Sequence, residues 1–173
     1  MGLIDLFAQK KSDNNSDNNL LKIAAVGLPI LLMALKKKNE NTDNLESLKE
    51  TLARHENKAD GNILERIQNA DTEDGSKILN HILGGEKESV VEKISKMSGV
   101  ETNEVKKVLE KLSPSILEEL AEETRNNRTA DSVKELTEQK VRQIKDKSDA
   151  NNWSLAGSEL LSTAIDFIGG LFN

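Results

Sequence analysis

Cysteine is absent from this chain of 173 residues, and other residues on which chemistry and recognition often depend are scarce. Without cysteine there is no disulfide, no thiolate nucleophile and no thiolate-bound zinc, as is typical of a reducing compartment. Aromatic residues make up 2% of the chain and tyrosine is missing, so the stacking surfaces of single-stranded nucleic-acid binders are excluded. Two histidines, His55 and His81, are too few for a histidine-rich metal site.

The bulk composition indicates a small domain with a lean core. Hydrophobic residues make up 36% and charged residues 31%, with a net charge of -6. A chain of this length suits one domain with appendages. The first residues, MGLIDLF, lack the basic start of a signal peptide. We therefore expect a cytoplasmic protein.

Hydrophobic residues recur at helical spacing in most of the chain. One such stripe is Val105, Val108, Leu109 and Leu112; another, on a long charged stretch, is Val133, Leu136, Val141 and Ile144. Steps of three, four and seven residues are typical of an amphipathic helix, and no stretch alternates as a strand does. The sequence predicts an all-α fold, a compact bundle of short helices with mobile or docking segments at its ends.

The most apolar stretch, Leu20 to Lys38, raises the question of a membrane span. Its uncharged part, Ile23 to Leu35, is shorter than the roughly 20 apolar residues that a spanning helix needs. Pro29 suits the first position of a helix, where its missing N–H has no intrahelical partner. We expect either one buried core helix or two helices with a break before Pro29. A second break is expected at Ser113-Pro114.

Four segments follow from these patterns. They are a short apolar segment with a polar linker (1–19), a helical domain (20–126), a charged helix (127–150) and an apolar amphipathic segment (151–173). The two ends carry the candidate docking residues, which are Leu3, Ile4, Leu6, Phe7, Trp153, Leu160, Leu161, Ile165, Phe167, Ile168, Leu171 and Phe172. The charges of the last segment, Glu159 and Asp166, are acidic, whereas membrane-surface helices usually carry lysine and arginine. This favours docking on protein.

The stretch DGSKILNHILGG, residues 74–85, predicts a capped helix. Asp74 and Ser76 can accept hydrogen bonds from the first turn, and Gly84 can adopt the backbone that ends a helix. His81 flanks the apolar face, so we expect a structural role for it. The carboxylates Glu118, Glu119, Glu122 and Glu123 are predicted to form a solvated face. No phosphate-binding glycine motif occurs, and we predict no catalytic, cofactor-binding or metal-binding residue.

Residues 90–112 have the layout of a helix-turn-helix, with a tight turn at Ser98-Gly99. Binding to a duplex depends on neutralising phosphates. The second helix carries three lysines against three glutamates, so its charges nearly cancel. Nucleic-acid binding is therefore the weakest of our hypotheses.

The stretch DGSKILNHILGG resembles a pattern of the YidB-like family of bacterial proteins of unknown function. Two further stretches, SGVETNEVKKVLEKLSPSILEEL and GLPILLMALKKK, share this resemblance. The shared pattern is an aspartate-glycine pair before an ILxHILG-like helix, then a serine-glycine turn and leucine-rich helices with a proline. In this chain it falls on Asp74, Gly75, Ile78, Leu79, His81, Ile82, Leu83, Gly84, Ser98, Gly99 and Pro114. The resemblance covers roughly Leu20 to Glu123. It implies an all-helical bacterial domain and no known reaction.

The sequence thus favours a non-enzymatic module for protein–protein interaction or self-assembly, with a protein partner or a second copy as its ligand. The alternative is peripheral association with a membrane surface through the two ends of the chain. DNA binding through residues 90–112 ranks third. No small-molecule substrate and no cofactor are indicated.

Overall fold

The computed structural model describes residues 3–8, 15–38, 42–56 and 61–150. These ranges hold α-helices and two short 3₁₀ segments, and no strand occurs within them. In chain order the elements are the 3₁₀ segment Leu3–Ala8, α1 (Asn15–Lys38), α2 (Thr42–Arg54), α3 (Ile63–Gln68), α4 (Thr72–Leu83), the 3₁₀ segment Gly84–Glu86, α5 (Lys87–Ser98), α6 (Thr102–Glu123) and α7 (Ala130–Ala150). The predicted all-α bundle is confirmed.

Neither proline breaks its helix. Pro29 lies inside α1 and Pro114 lies inside α6, so the break expected at Ser113-Pro114 is wrong, and of the two expectations for Pro29 the single core helix holds. A proline inside a helix lowers the stability of the helix by about 3 kcal/mol, because it has no N–H to donate and its ring clashes with the carbonyl four residues earlier. In both helices that cost is offset by the burial of long apolar faces.

Helix α6 lies at the centre of the bundle and packs on α1, α2, α3, α4 and α5. Its closest neighbour is α4, at Gly75. A Cβ placed on Gly75 would lie 1.8 Å from the carbonyl oxygen of Glu110, so the two backbones are in direct contact. Pro114 has no N–H to donate to that same carbonyl, its partner four residues earlier. The glycine and the proline of the family pattern therefore meet at one backbone oxygen.

Helix α1 packs on α6 from another direction at the neighbouring residue. A Cβ on Gly27 would lie 2.8 Å from Cδ2 of Leu109. Asn19 Nδ2 also donates to Glu104 Oε1, at 3.4 Å near the start of both helices, so α1 and α6 run in the same direction. By length and composition α1 could cross a membrane over Asp17–Lys38, and 72% of its most apolar window is buried by the other helices.

Two charged side chains, Glu119 of α6 and Lys140 of α7, are buried together. Lys140 Nζ lies 3.0 Å from Glu119 Oε1 and 2.9 Å from Glu123 Oε2. The backbone N–H of Leu3 donates to Glu119 Oε2 at 3.1 Å. Burial opposes the charge of Lys140, and the two carboxylates outweigh it and raise its pKa. The solvated position predicted for Glu119 is wrong, because this carboxylate joins α6, α7 and the N-terminal segment.

One hydrophobic core runs through the N-terminal 3₁₀ segment and the seven α-helices. It extends from Leu3 and Leu6 to Val133, Val141 and Ile144. The segment boundaries near residues 19 and 126 stay predictions, and apolar residues on both sides of each boundary belong to this core. Helix α7 confirms the predicted apolar stripe, since Leu136 also packs against this core.

Of the four docking residues predicted at the N-terminus, the structure describes the side chains of two, and both are buried. Leu3 and Leu6 are 1% and 0% exposed. They pack inside their own chain and are not presented to a partner, because the 3₁₀ segment packs against α7. The side chains of Ile4 and Phe7, and all the predicted residues from Trp153 to Phe172, lie outside what the structure describes.

Several helix ends differ from the sequence prediction by a few residues. The cap of α4 is Asp71, whose Oδ1 accepts from the N–H groups of Glu73 and Asp74. Asp74 and Ser76 lie one turn inside the helix, because Asp71 was the earlier residue with a suitable oxygen. Gly99 ends α5 in the left-handed conformation, with φ 73° and ψ 15°, as predicted, whereas Gly84 ends α4 with φ 57° and ψ −132°, outside the left-handed helical region.

The contact between Gly75 and Glu110 predicts an unusual response to alanine. In an exposed helix Gly→Ala gains up to about 1 kcal/mol. Here the new methyl group meets a backbone oxygen that cannot move aside, and such overpacking costs about 1–3 kcal/mol. We expect Gly75→Ala to lower the free energy of unfolding by about 2 kcal/mol, measured by urea denaturation.

The matched control is Gly85→Ala. A Cβ at Gly85 meets nothing within 4 Å, so this variant should keep its stability within about 0.5 kcal/mol. Gly27→Ala should fall between the two, because the atom it meets ends the flexible side chain of Leu109. Equal stability of the Gly75→Ala protein and the parent would contradict the contact.

Candidate functional site

A groove opens between α2 and α4, which we call the α2–α4 groove. Its floor is apolar and its rim is polar. The floor residues are Leu35, Leu48, Ile78, Ile82 and Leu117, and the rim residues are Ser47, Thr51, Arg54, His55, Asp74, Lys77 and His81. The volume is about 340 Å³. Both histidines of the chain therefore lie at the same site.

The groove exists because α2 and α4 each pack on α6 and not closely on each other. Along α4, Asp74, Ile78 and His81 follow at steps of four and three, which places them on one face. Leu48, Thr51 and His55 do the same along α2. Since Gly75 holds α4 tightly on α6, the adjacent face of α4 is turned toward the space beside α2.

A second cavity of about 780 Å³ adjoins the groove, and most of the residues that line it have polar side chains. It shares Arg54, His55, Asp74 and Lys77 with the groove and adds Arg66, Asn69, Ala70, Asp71, Glu73, Pro114 and Glu118. Three cationic side chains face four carboxylates there, and Arg66 Nη1 lies 3.7 Å from Glu118 Oε2. The charges nearly balance, so this cavity does not have the excess of donors that a phosphate or sulfate site needs.

His55 is held between the two walls of the groove. It is 7% exposed, and its Nδ1 lies 2.8 Å from the carbonyl oxygen of Thr51. A carbonyl can only accept, so Nδ1 carries a proton and donates it. Nε2 then faces Asp74 Oδ2 at 3.6 Å. The ring therefore lies between the end of α2 and the first turns of α4, and it forms an ion pair with Asp74 only when it is protonated.

His81 lies on the opposite part of the rim and is exposed. Lys38 Nζ, at the end of α1, donates to the backbone carbonyl of His81. The pKa of His81 is lowered, mainly because partial burial removes water from the imidazole. The positive charge of Lys38 nearby lowers this pKa further. This hydrogen bond uses the backbone carbonyl of His81, and the structural role expected for the imidazole stays a prediction.

The structure brings part of the family pattern into the groove and leaves part of it in the core. Asp74, Ile78, His81 and Ile82 line the groove, whereas Leu79 and Leu83 are buried in the bundle. Ser98 and Gly99 form the end of α5. In the part of the chain that the structure describes, no group of three or more histidine, aspartate and glutamate side chains could hold a metal ion.

Sequence reasoning missed the wall that α2 contributes. Its residues lie some 25 positions before the family pattern, and no local motif joins them to it. The available signal was His55, which continues the stripe of Leu48 and Leu52. A histidine in place of the next leucine indicates a point where an apolar face meets a polar site.

The helix-turn-helix layout is present as α5, a break at residues 99–101, and α6. The apolar face of α6, however, is buried in the bundle at Val105, Leu109 and Leu112. Glu101 precedes α6 and gives it no side-chain cap. Among the described residues, this corner serves first as packing between α5 and α6.

Comparison with known proteins gives one match. A family model described as "Bacterial protein of unknown function (DUF937)" matches residues 8–123. No curated protein and no solved structure matches the chain. The matched residues include every residue of the α2–α4 groove and the contact of Gly75 with Glu110, and they end before α7.

The arrangement at His81 predicts a charge-dependent titration. Replacing Lys38 by methionine removes a positive charge, so the pKa of His81 should rise toward the ordinary value of 6.5. Because the folded pKa lies below the unfolded one, protonation favours unfolding, and stability is lost as the pH falls below about 6.5. The parent should show this loss more steeply than the Lys38→Met variant.

The measurement is an NMR titration of the two histidine Cε1–H signals, assigned with a His81→Gln variant. Lys37→Met, one residue away on the same helix, is the control and should leave the His81 midpoint where it is in the parent. A midpoint that does not respond to Lys38→Met would show that the two side chains are not coupled.

Proposed function

The chain belongs to the DUF937 family of bacterial proteins of unknown function, and we propose that it is a non-enzymatic protein-interaction module. Its ligand in this proposal is an apolar helical segment that carries acidic residues, bound in the α2–α4 groove. The observation that supports this most is an open groove with an apolar floor between two helices, in a chain with a lean core.

The floor provides the affinity in this proposal. Helical ligands place side chains at i, i+3 or i+4 and i+7 into grooves of this kind. The volume of about 340 Å³ lies in the range of specific binding sites, about 300–1,000 Å³. It offers room for a few aliphatic or aromatic side chains of the ligand, and the gain comes from moving those side chains out of water, because Leu48, Ile78 and Ile82 are already buried.

The rim provides the selectivity. Among the residues that line the groove, Arg54 and Lys77 are exposed cations and Asp74 is the one carboxylate. Lys77 also pairs with Glu73, outside the groove, at 3.7 Å, and Lys38 lies beside His81. The chain as a whole is acidic, with a net charge of -6, so this excess of cations is local. Complementary charges at the rim steer association and exclude segments of the wrong sign.

The other two hypotheses have less support. Membrane association was based on the two ends of the chain, and Leu3 and Leu6 are buried in the core. DNA binding needs an exposed cationic helix face, and the start of α6 sets three lysines against three glutamates. Enzymatic activity would need further groups at the groove beyond the oriented imidazole of His55.

The test uses a set of fluorescein-labelled helical peptides of 15 residues. They carry glutamate on the polar face and vary leucine, isoleucine and phenylalanine at the apolar positions; a matched set carries lysine in place of glutamate. Fluorescence anisotropy with the full chain should show tighter binding of the acidic set. Lys77→Glu should weaken that binding about fivefold.

Lys96→Glu is the control, because Lys96 is exposed on α5 and does not line the groove. It makes the same change of net charge and should leave the affinity unchanged. Absence of binding for every acidic peptide, or equal binding of the acidic and basic sets, would overturn the proposal.

A further inference from the structure

We infer that the ligand of the α2–α4 groove is the C-terminal segment of a second copy of this chain, residues 152–173. This inference rests on the proposed function and names its partner. It would make the protein a dimer in which each copy inserts this segment into the groove of the other.

The sequence of the segment has the chemistry that the groove requires. Its apolar side chains recur at helical spacing, in particular Leu160, Leu161, Ala164, Ile165 and Ile168. Its only charged side chains are Glu159 and Asp166. Arg54 and Lys77 on the rim carry the opposite sign. An acidic, apolar helical segment thus matches a cationic rim around an apolar floor.

The position of α7 argues for a segment from another copy. Lys36 of α1 pairs with Glu138 of α7 at 2.7 Å, whereas Lys38 of α1 donates to His81 on the groove rim. Two positions along a helix differ by about 200°, so their side chains leave it on nearly opposite sides. The middle of α7, at Glu138, and the groove rim, at His81, therefore lie on different sides of the end of α1.

The direction of α7 adds a limit of length. Just before α7, Arg128 Nη2 lies 2.7 Å from Glu56 Oε1, next to His55 of the groove. The 21 residues of α7 then carry the chain about 31 Å along the helix axis. Residues 151–159 span about 32 Å when fully extended. The extended length of residues 151–159 is about equal to the length of α7, so it is too short for a path that also goes around α1 to the groove of the same chain. We therefore assign the segment in the groove to a second copy.

Exchange of identical segments closes a symmetric pair. When each copy gives its segment and receives the other, all grooves are filled and growth stops at two. The linked sites also raise the effective concentration of the second contact once the first has formed. A modest affinity of each groove is therefore enough to hold the dimer.

Analytical ultracentrifugation tests the inference with the full chain and a version that ends at residue 151. The full chain should sediment as a dimer and the shortened chain as a monomer with an unchanged helical circular dichroism spectrum per residue. Lys77→Glu should raise the dimer dissociation constant at least fivefold, and Lys96→Glu should not. Adding Glu159→Lys and Asp166→Lys to the Lys77→Glu variant should restore the dimer.

The absence of cysteine permits a direct test of which copy supplies the segment. A chain with Lys77→Cys is mixed with a chain of different size that carries Leu161→Cys, and disulfide formation is followed by gel mobility. The inference predicts a crosslink between the two sizes. When both substitutions are in one chain, crosslinked dimers should form in excess over internally crosslinked monomers.

The outcomes separate this inference from the proposed function. A full chain that stays monomeric, or a dimer that survives removal of residues 152–173, overturns the inference, while binding of the acidic peptides would still support the groove as a docking site. A crosslink confined to single chains overturns the second copy as the source. Flotation of the full chain with anionic vesicles, lost on removal of the segment, would assign the segment to a membrane and also overturn it.

Discussion

The contact of Gly75 with the carbonyl oxygen of Glu110 is the constraint on which the arrangement of the helices depends. It brings the backbones of α4 and α6 together with no side chain between them. Pro114 contributes by having no N–H for that oxygen, so the carbonyl is released from the hydrogen-bond ladder of α6. At the adjacent residue, Leu109, Gly27 lets α1 approach the same helix. Two glycines and a proline therefore fix three helices around one point.

The groove follows from this packing. Because α4 packs tightly on α6, the α4 face that holds Ile78 and Ile82 is not covered by α2 and lines the groove between the two helices. His55 hydrogen-bonds to Thr51 on its own wall and faces Asp74 of the other wall at 3.6 Å. On the other side of α1, Glu119 and Lys140 hold α7 and the N-terminal segment in place. Breaking such a buried pair on one side usually costs about 3–5 kcal/mol. Among the described residues, the groove and the buried pair of Glu119 and Lys140 thus lie in different parts of the bundle.

The sequence was sufficient for the fold class, the family and the face of each helix, because these depend on periodicity within a segment. The positive φ at Gly99 was likewise predictable, since the signal is local. Contacts between residues far apart in the sequence could not be predicted in this way. Gly75 looks like part of a helix start until Glu110 is placed against it, and Glu119 looks solvated until Lys140 and Leu3 surround it. The groove escaped prediction for the same reason, since half of it comes from α2.

The most direct test of this account is a double-mutant cycle between Gly75 and Pro114. An alanine at position 114 supplies the missing N–H and draws the Glu110 carbonyl back toward α6, which makes room for a methyl group at position 75. The account therefore predicts that Gly75→Ala costs less in the Pro114→Ala background, with a coupling free energy of at least about 0.5 kcal/mol from urea denaturation. Effects that add within about 0.3 kcal/mol would show that the two residues act independently, and would contradict the shared carbonyl as the organising contact.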